Sequence, residues 1–462
     1  MGAEDYSIEM GERQSCDTSI RRPIRKVLIP MDSLIVFSHL RWDFVYQRPQ
    51  QLMTRLAKYY RIFYIEEPVF AVGPGRWHFS RAADNLIVCR PHTSEPGAGF
   101  HDEQLKALQP LVGDLIAQYD LREPLVWLYT PMALPLIAGL HARLVVYDCM
   151  DELSAFKNAP RQLLQREHAL LKISDIVFTG GPSLYAAKRS RHDAVFCFPS
   201  SVEREHFAHA RKAGEIRCQQ HLGHPRLGFF GVIDERLDIN LLNRLAIARP
   251  TWQIVLVGPV VKIDPASLPR HPNIHYFGQQ TYADLPRFLA GWDICLLPFA
   301  LNEATRFISP TKTLEYMASE KPIVSTSVPD VVGSHGDAVR IGDGAEFLHQ
   351  CDLALTETPD EASRRSCAMR AAVAATSWDR TASQMHELME AQRREAASHR
   401  ISVPEKSLRA TNDEGAARRE PPVVIIGAGP TGLSAALTLG KDSLLLEQHA
   451  TVGGWCRSIE EG

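Results

Sequence analysis

A short segment between an apolar run and an amphipathic run brings hydroxyl, ammonium and carboxylate groups together. It contains Ser309, Thr311, Lys312, Thr313 and Glu315, with a proline between the first two. A helix that begins here would present N–H groups and a positive dipole end, which suit a diphosphate. The carboxylate just inside that helix could accept hydrogen bonds from a ribose diol. The alternative is an ordinary capped helix, because a hydroxyl residue followed by a glutamate is a common capping pattern.

Two further cations and a pair of glycines point to the same edge of a sheet. Gly228 and Gly231 lie at the end of the apolar run LGFFG, with Arg236 beyond them, and Lys262 follows the next apolar run. Glycine lets a ligand approach the backbone closely. Any one of these cations could be a solvated surface charge, but three at the carboxyl ends of neighbouring strands predict an anion site, with Lys312 as the third.

The segment HLRWDFVYQRPQ places sugar-binding side chains between a predicted strand and a predicted helix. It offers His39, Arg41, Trp42, Asp43 and Arg48. Aromatic faces stack on the apolar side of sugar rings, while polar groups meet hydroxyls. We therefore predict acceptor binding by the last four of these, and a catalytic role for the histidine.

Two aspartates follow another predicted strand, in the segment YDCMDE. Asp148 and Asp151 would lie in a cleft, where a carboxylate can orient or deprotonate an acceptor hydroxyl. For Asp151 a helix cap is the alternative. Both are candidate catalytic residues.

A glycine-rich motif near the end of the chain is typical of dinucleotide binding. A strand-like run leads into Gly427, Gly429 and Gly432, and Glu447 follows the next strand-like run. A lone GxGxxG is a weak signal, but strand, helix, strand and acid together form a strong one. Gly453 and Gly454 add a second glycine pair. The chain ends fifteen residues after Glu447, so we expect an incomplete βαβ fragment.

The elements that would position these residues form an α/β pattern. Short runs that are apolar throughout alternate with amphipathic segments, which predicts parallel sheets covered on both faces. We predict a mobile tail over 1–24, one Rossmann-like domain over 25–208 and a second over 209–397. A polar linker (398–420) and a dinucleotide-binding fragment (421–462) follow. Two doubly wound domains place a ligand cleft between them.

Composition excludes several classes of protein. A net charge of −3 with a pI near 6.7 gives no general attraction to nucleic acid. The sequence contains no apolar run near the ~20 residues that span a bilayer and no signal-peptide pattern. Nine scattered cysteines without C-x-x-C spacing indicate neither a zinc site nor a redox motif. We expect a cytoplasmic protein.

The combination of motifs resembles bacterial family 1/family 4-type glycosyltransferases of the GT-B fold, which include enzymes of teichuronic acid and exopolysaccharide assembly. The segments that carry the resemblance lie between residues 27 and 395: FSHLRWDFVYQRPQQLMTRLA, VVYDCMDE, FTGGPSL, FPSSVEREHF, GFFGVIDERLD, VLVGPVVKID and SPTKTLEYMASEKPIVST.

The resemblance implies that the second domain binds a nucleoside diphosphate sugar without an obligatory metal or other cofactor. It implies Glu315 on the ribose, and Arg236, Lys262 and the Thr311–Thr313 turn on the diphosphate, with Gly231 and Ser309 beside them. The acceptor would be a glycan or a lipid-linked glycan in cell-surface polysaccharide synthesis, which allows peripheral contact with the inner face of the membrane. The C-terminal motif resembles the start of UDP-galactopyranose mutase and amine-oxidase-like flavoproteins, which implies FAD.

One departure from the family pattern leaves the stereochemistry open. Many retaining members carry a second glutamate eight residues before the one at Glu315, where this chain has Phe307. Two other hypotheses stand beside the transferase, and the missing glutamate allows the second of them. One is an FAD-dependent oxidoreductase or mutase fusion whose N-terminal part only binds sugar nucleotide. The other is an inactive sugar-nucleotide-binding protein.

Overall fold

The computed structural model describes residues 31–97, 99–402, 423–426 and 443–446. The chain divides into two compact units, one over residues 1–397 and one over 398–462. The first unit contains two sheets, each with its own helices.

The first sheet has the strand order β3-β5-β2-β1-β6-β7-β8-β9, and β4 pairs antiparallel with β5 while the other pairings are parallel. Its central strands are apolar because both faces are covered by helices. The strands are β1 (Ser33–Ser38), β2 (Arg61–Glu66), β3 (Val69–Phe70), β4 (Arg76–Ala83), β5 (Leu86–Thr93), β6 (Leu125–Leu128), β7 (Leu144–Cys149), β8 (Ile176–Thr179) and β9 (Val195–Cys197). The helices are α1 (Arg48–Leu56), α2 (Asp102–Tyr119), α3 (Gln162–Ile173), α4 (Pro182–Lys188) and α5 (Arg204–Ala208).

The second sheet is parallel, in the order β12-β11-β10-β13-β14-β15. Its strands are β10 (Arg226–Phe230), β11 (Gln253–Val257), β12 (Ile274–Tyr276), β13 (Ile294–Leu297), β14 (Ile323–Ser325) and β15 (Arg340–Ile341). The helices are α6 (Ile239–Ala248), α7 (Leu285–Ala290), α8 (Lys312–Ser319), α9 (Pro329–His335), α10 (Ala345–Leu355), α11 (Pro359–Ala374) and α12 (Trp378–Ser402).

Helix α12 returns to the first sheet. Trp378, Met385 and Met389 are buried in the same apolar cluster as Leu52 and Leu56 of α1. A helix that follows the second sheet in sequence therefore completes the core beside the first, and joins the two halves of the unit.

The second compact unit contributes two described strands, β16 (Val423–Ile426) and β17 (Ser443–Leu446). They pair in parallel, with Val423 opposite Ser443. A parallel pair needs a crossover connection, as the predicted βαβ fragment requires.

None of the helices in the described ranges combines the length and the hydropathy that a membrane-spanning segment requires.

Candidate functional site

A cavity of about 550 Å³ lies between the two sheets of the first unit. It meets the carboxyl ends of β10 and β11, where open α/β sheets bind ligands. The first half of the chain supplies residues 42–47 to its wall, and the second half supplies Phe230–Val232, Arg236, Val257–Pro259, Gln279–Tyr282, Leu285, Thr311, Lys312 and Glu315. Among the predicted donor residues, Gly231, Arg236, Thr311, Lys312 and Glu315 line this one cavity.

Helix α8 brings a lysine and a glutamate to the cavity from one turn. Lys312 and Glu315 are three residues apart, so they lie on the same helix face. The helix is held to the end of β10 because the Phe230 N–H donates to the Tyr316 hydroxyl at 3.0 Å. Glu315 is 8% exposed. Burial and the charge of Glu203 raise the pKa of Glu315 to about 7, although Lys312 opposes the rise.

Gly231 makes room for Lys312 rather than only for a ligand. Its φ of +142° belongs to glycine, and a Cβ there would lie 2.0 Å from the Lys312 Cε. The lysine Nζ consequently lies 5.8 Å from the centre of the Phe229 ring, and burial lowers its pKa. Gly228 has a different reason to be glycine, because a Cβ there would meet the Trp292 ring at 1.9 Å. The expectation that a ligand approaches at Gly228 is wrong, since a core tryptophan fills that space.

A second group of charges surrounds the ring of Phe156. Arg236 and Lys262 lie 5.5 Å and 5.3 Å from its centre. Arg236 also forms a bidentate pair with Asp234, whose shortest contact is 2.7 Å. Burial raises the pKa of Asp151, and the charge of Arg236 counters it. The structure thus brings Asp151 together with the predicted diphosphate-binding cations, although Asp151 and Lys262 do not line the cavity wall. Asp234 and Phe156 were not predicted from the sequence, because an aspartate two residues before the arginine carries no distinctive spacing.

His39 is partly buried, and its imidazole is neutral at physiological pH. Burial, followed by the charge of Lys262, lowers its pKa to about 4. Its Nδ1 is buried without a hydrogen-bond partner among the described residues. A neutral ring nitrogen in that state can accept or donate a hydrogen bond to a bound molecule.

The predicted acceptor segment divides between the cavity and the protein interior. Trp42 and Asp43 line the cavity. The Arg41 guanidinium donates to the backbone carbonyls of residues 67 and 68 at 3.2 and 3.0 Å. Arg48 is 2% exposed and donates two hydrogen bonds to Asp148, at 2.9 and 3.1 Å. Asp148 is itself fully buried. The structure therefore brings Arg48 and Asp148 to each other and not to the cavity.

Aromatic side chains of both halves meet at the far wall of the cavity. The Tyr46 and Tyr282 ring centres are 4.7 Å apart, and His206 stacks on Tyr282 at 4.4 Å. The Gln279 amide donates to the Phe44 carbonyl across the same gap. The segment predicted for acceptor binding thus also borders the wall formed by residues 279–282, which the sequence pattern did not single out.

The hydroxyls of the predicted diphosphate turn point to different places. Thr311 lines the cavity and donates to the Ser200 hydroxyl at 2.9 Å. Ser309 and Thr313 line a separate cavity. The described residues contain no group of three or more His, Cys, Asp or Glu side chains placed to hold a metal ion. Predicted cofactor residues lie outside the described residues: Gly427, Gly429, Gly432, Glu447, Gly453 and Gly454.

Two regions of the sequence match known protein families. Residues 224–357 match the family described as glycosyl transferases group 1, and residues 425–462 match the NAD(P)-binding Rossmann-like domain. A relative from Bacillus subtilis (strain 168), described as a teichuronic acid biosynthesis glycosyltransferase, is 25% identical over 278 residues. That match covers 55% of this chain and 69% of the relative.

Solved structures share the fold of the first unit. Sucrose-phosphate synthase from Thermosynechococcus elongatus superposes with a TM-score of 0.63 at 17% identity, over 80% of this chain and 100% of that one. Anabaena HepE, solved with UDP and glucose, has a TM-score of 0.56 at 16% identity, over 78% and 99%. An Escherichia coli trehalose-6-phosphate structure bound with UDP-2-fluoro glucose gives 0.58 at 11%, over 78% and 99%.

These matches confirm the predicted GT-B fold and the predicted enzyme class, a glycosyltransferase. The match over residues 425–462 also confirms the predicted Rossmann-like dinucleotide-binding motif at the C-terminal end.

Proposed function

We propose that the chain transfers a sugar from a nucleoside diphosphate sugar bound in the cavity between its two sheets. The partly buried Lys312 and the buried Glu315 carry this proposal, because both line that cavity from one helical turn. An enclosed carboxylate with a raised pKa needs hydrogen-bond donors, and a ribose diol supplies two. The UDP named with two structures of this fold makes uridine donors the first to test.

Lys312 and Arg236 are the cations that we assign to the diphosphate, with Lys262 beside them. Cleaving the bond between sugar and phosphate develops negative charge on the leaving diphosphate. Fixed cations in a site shielded from water stabilise that charge in the transition state. The N-terminus of α8 adds a partial positive charge at the same place. This arrangement supports transfer that requires no cofactor.

Asp151 and His39 are the residues that we assign to the sugar and acceptor. His39 stays neutral at physiological pH, so its ring can share a hydrogen bond with a hydroxyl without adding charge. Burial raises the pKa of Asp151, which makes it a stronger proton acceptor than an exposed aspartate, and the charge of Arg236 limits that rise. We keep Trp42 and Asp43 as acceptor contacts. We assign Arg48 and Asp148 to the support of α1 on β7, since their pair is buried.

The donor assignment is tested by titrating UDP-glucose, UDP-galactose, UDP-N-acetylglucosamine and the matching GDP sugars into the full chain. We expect one nucleotide class to bind, and Lys312→Ala to weaken it at least tenfold. Arg306→Ala is the matched control, because Arg306 is an exposed cation close in sequence that does not line the cavity. Equal loss in both variants, or binding of no donor, would contradict the assignment.

We propose a glycan or lipid-linked glycan as the acceptor, with peripheral contact between the protein and an anionic membrane surface. The segment 69–83 supports this contact. Phe70 and Val72 are 60% and 87% exposed, and Arg76 and Arg81 are exposed on the adjoining strand. No acidic residue occurs between 69 and 83, and Asp84, directly after the segment, pairs with Arg81 at 3.0 Å. Exposed apolar side chains beside arginines suit an anionic lipid surface.

Vesicle flotation with phosphatidylglycerol-containing liposomes tests the membrane contact. We expect the protein to float with the liposomes, and we expect the double variant Phe70→Ser with Val72→Ser to lose this binding. Leu164→Ser is the matched control, because Leu164 is 61% exposed on a different part of the first sheet's helices. Flotation that persists in the double variant would contradict the assignment.

For the C-terminal motif we propose FAD, held by Gly427, Gly429, Gly432 and Glu447, and not needed for transfer. The parallel pairing of β16 with β17 supports the strand arrangement of such a site. Flavin absorbance in the purified chain, or flavin fluorescence quenched on addition, would support FAD. Binding of NADH without binding of FAD would contradict it. The oxidoreductase hypothesis remains for the case in which flavin binds and no donor supports transfer.

A further inference from the structure

The cavity to which we assign the donor has walls of two kinds. One kind carries the charged residues and a glycine, namely Gly231, Arg236, Lys312 and Glu315. The other kind is apolar and aromatic, and both halves of the unit contribute to it. It includes Phe44, Val45 and Tyr46 from the first half and Tyr282 and Leu285 from the second. A nucleoside diphosphate has the same division, because its diphosphate is charged whereas its base presents flat faces that stack on aromatic rings.

Glu315 lies close to both kinds of wall. It shares one helical turn with Lys312. Tyr282 is near it as well, and the charge of Glu315 adds to burial in raising the pKa of Tyr282. The ribose of a nucleoside diphosphate connects the diphosphate to the base in the same way. With the diphosphate on Lys312 and the ribose on Glu315, the base therefore reaches the aromatic wall.

The part of this wall that comes from the first half is fixed by its own hydrogen bonds. The Gln50 amide donates to the carbonyls of Trp42 and Val45, at 2.8 and 3.0 Å. The Gln47 N–H in turn donates to the Gln50 side chain at 3.1 Å. These bonds order the turn that precedes α1. A wall that is already ordered loses little conformational entropy when a ligand packs against it.

Tyr46 is the aromatic residue of the first half that is placed to contact a base. It is only partly buried, and it lines the cavity. Its ring centre is 4.7 Å from that of Tyr282, and the two rings are tilted by 38°. One face of Tyr282 is already covered, because His206 stacks on it at 4.4 Å. Beside these rings the Gln279 amide donates to the Phe44 carbonyl. A base that packs on this wall therefore contacts both halves of the unit.

We propose that residues 44–47 belong to the donor site, and that Tyr46 packs against the nucleobase together with Tyr282 of the other half. This inference rests on the proposed function, since it takes the positions of the diphosphate and the ribose from there. It separates the segment predicted for acceptor binding into two parts, with Trp42 and Asp43 on the acceptor and the residues after them on the donor. The donor base thereby bridges the two halves.

Calorimetric titration of the full chain with UDP, GDP and ADP tests the contact without an acceptor. We expect Tyr46→Ala to weaken the nucleoside diphosphate that binds most tightly by at least about fivefold, the lower end of what stacking on an aromatic side chain contributes. Tyr46→Phe retains the ring and should restore most of the affinity. Tyr46→Leu keeps apolar volume without a flat ring, so it should also weaken binding, and it keeps the test decisive if Tyr46→Ala fails to fold.

Tyr59→Ala is the matched control. Tyr59 is also a tyrosine of the first half, and its ring stacks at 3.9 Å on His386 of α12, but it lies outside the cavity wall. Its loss should leave nucleotide binding unchanged. Equal losses in Tyr46→Ala and Tyr59→Ala would show a general loosening between the halves and would overturn the inference. Parent-like binding in Tyr46→Ala and Tyr46→Leu would overturn it alone and leave the proposed function in place. Binding of no nucleoside diphosphate by the parent would contradict the proposed function, and this inference with it.

Discussion

Glu315→Gln separates the roles of Glu315 in stability and in donor binding. The side chain is almost completely buried, and its pKa is raised from the ordinary 4.5 to about 7, chiefly by burial. A folded state with a raised carboxyl pKa holds its proton more tightly than the unfolded chain does. The ionised side chain therefore destabilises the free protein, and glutamine, which resembles the protonated form, removes that cost.

The size and pH window follow from the two pKa values. At 1.36 kcal/mol for each pKa unit, the rise from 4.5 to about 7 corresponds to roughly 3 kcal/mol. The cost is absent below the unfolded value of 4.5, grows as the pH rises toward 7, and is complete above it. We expect Glu315→Gln to raise the free energy of unfolding by up to about 3 kcal/mol near pH 8, and by nothing near pH 4.5.

Donor binding should change in the opposite direction. Hydroxyls of a ribose diol stabilise the ionised carboxylate, so a bound donor lowers the pKa of Glu315. The affinity of the protein for the donor therefore falls as the pH drops below about 7, where Glu315 becomes protonated in the free protein. A hydrogen bond to a charged group contributes about 1.5–3 kcal/mol. The glutamine variant should consequently bind donor roughly tenfold to a hundredfold more weakly near pH 8, and with less dependence on pH.

Urea unfolding and donor calorimetry across this pH range measure both effects. Glu167→Gln is the control, because Glu167 is 2% exposed and pairs with Lys188 at 2.6 Å. Burial alone would raise the pKa of Glu167, but the charge and hydrogen bonds of Lys188 lower it. That variant should lose stability near pH 8, where Glu315→Gln gains it. If Glu315→Gln loses stability there, or binds donor as the parent does, then Glu315 is an ordinary core residue and the donor site is misplaced.

Three further changes test the contacts that support the cavity. Gly231→Ala should lower both the stability and the donor affinity, because its Cβ would collide with Lys312. Gly113→Ala is the control and should change neither, because the space around its Cβ is open. Equal melting temperatures for the two variants would refute the reasoning. Arg48→Met should lower the free energy of unfolding by about 3–5 kcal/mol in urea titration, since it leaves Asp148 buried and unpaired; a loss confined to acceptor KM would instead show an acceptor contact. Donor affinity should fall steeply with added salt in the parent and less steeply in Lys312→Ala; parallel salt slopes would remove Lys312 from the diphosphate site.

The sequence predicted the repeating units of the fold well, because strands buried on both faces produce unbroken apolar runs. The apolar runs LIVF and IFYI lie within β1 and β2, and the helix predicted at the segment of Lys312 and Glu315 is α8. The antiparallel β4 was not predicted. Its side chains alternate between exposed and partly covered, with arginine and histidine among them, so it lacks the apolar run of its neighbours. The return of α12 to the first sheet was not visible either, since a helical pattern does not say which sheet its apolar face meets.

The sequence predicted those site residues whose position depends on the order of strands and helices along the chain. It did not predict which side chains pair with each other in the folded protein. Residues that follow parallel strands reach one sheet edge by topology alone, which is why Arg236, Lys312 and Glu315 share a cavity. Arg48 and Asp148 are a hundred residues apart, and only the packing of α1 against β7 shows that they neutralise each other. A polar residue in a sugar-binding pattern can equally be the partner of a buried charge.

Helix geometry explains why the segment that first suggested a nucleotide site serves two cavities. Lys312 and Glu315 are three residues apart and share one face of α8, whereas Thr313 and Leu314 lie on another. In sequence the hydroxyls, the lysine and the glutamate read as one cluster aimed at one ligand. In the folded chain Lys312 and Glu315 line the proposed donor cavity, whereas Thr313 lines the separate cavity and its hydroxyl is buried without a hydrogen-bond partner among the described residues.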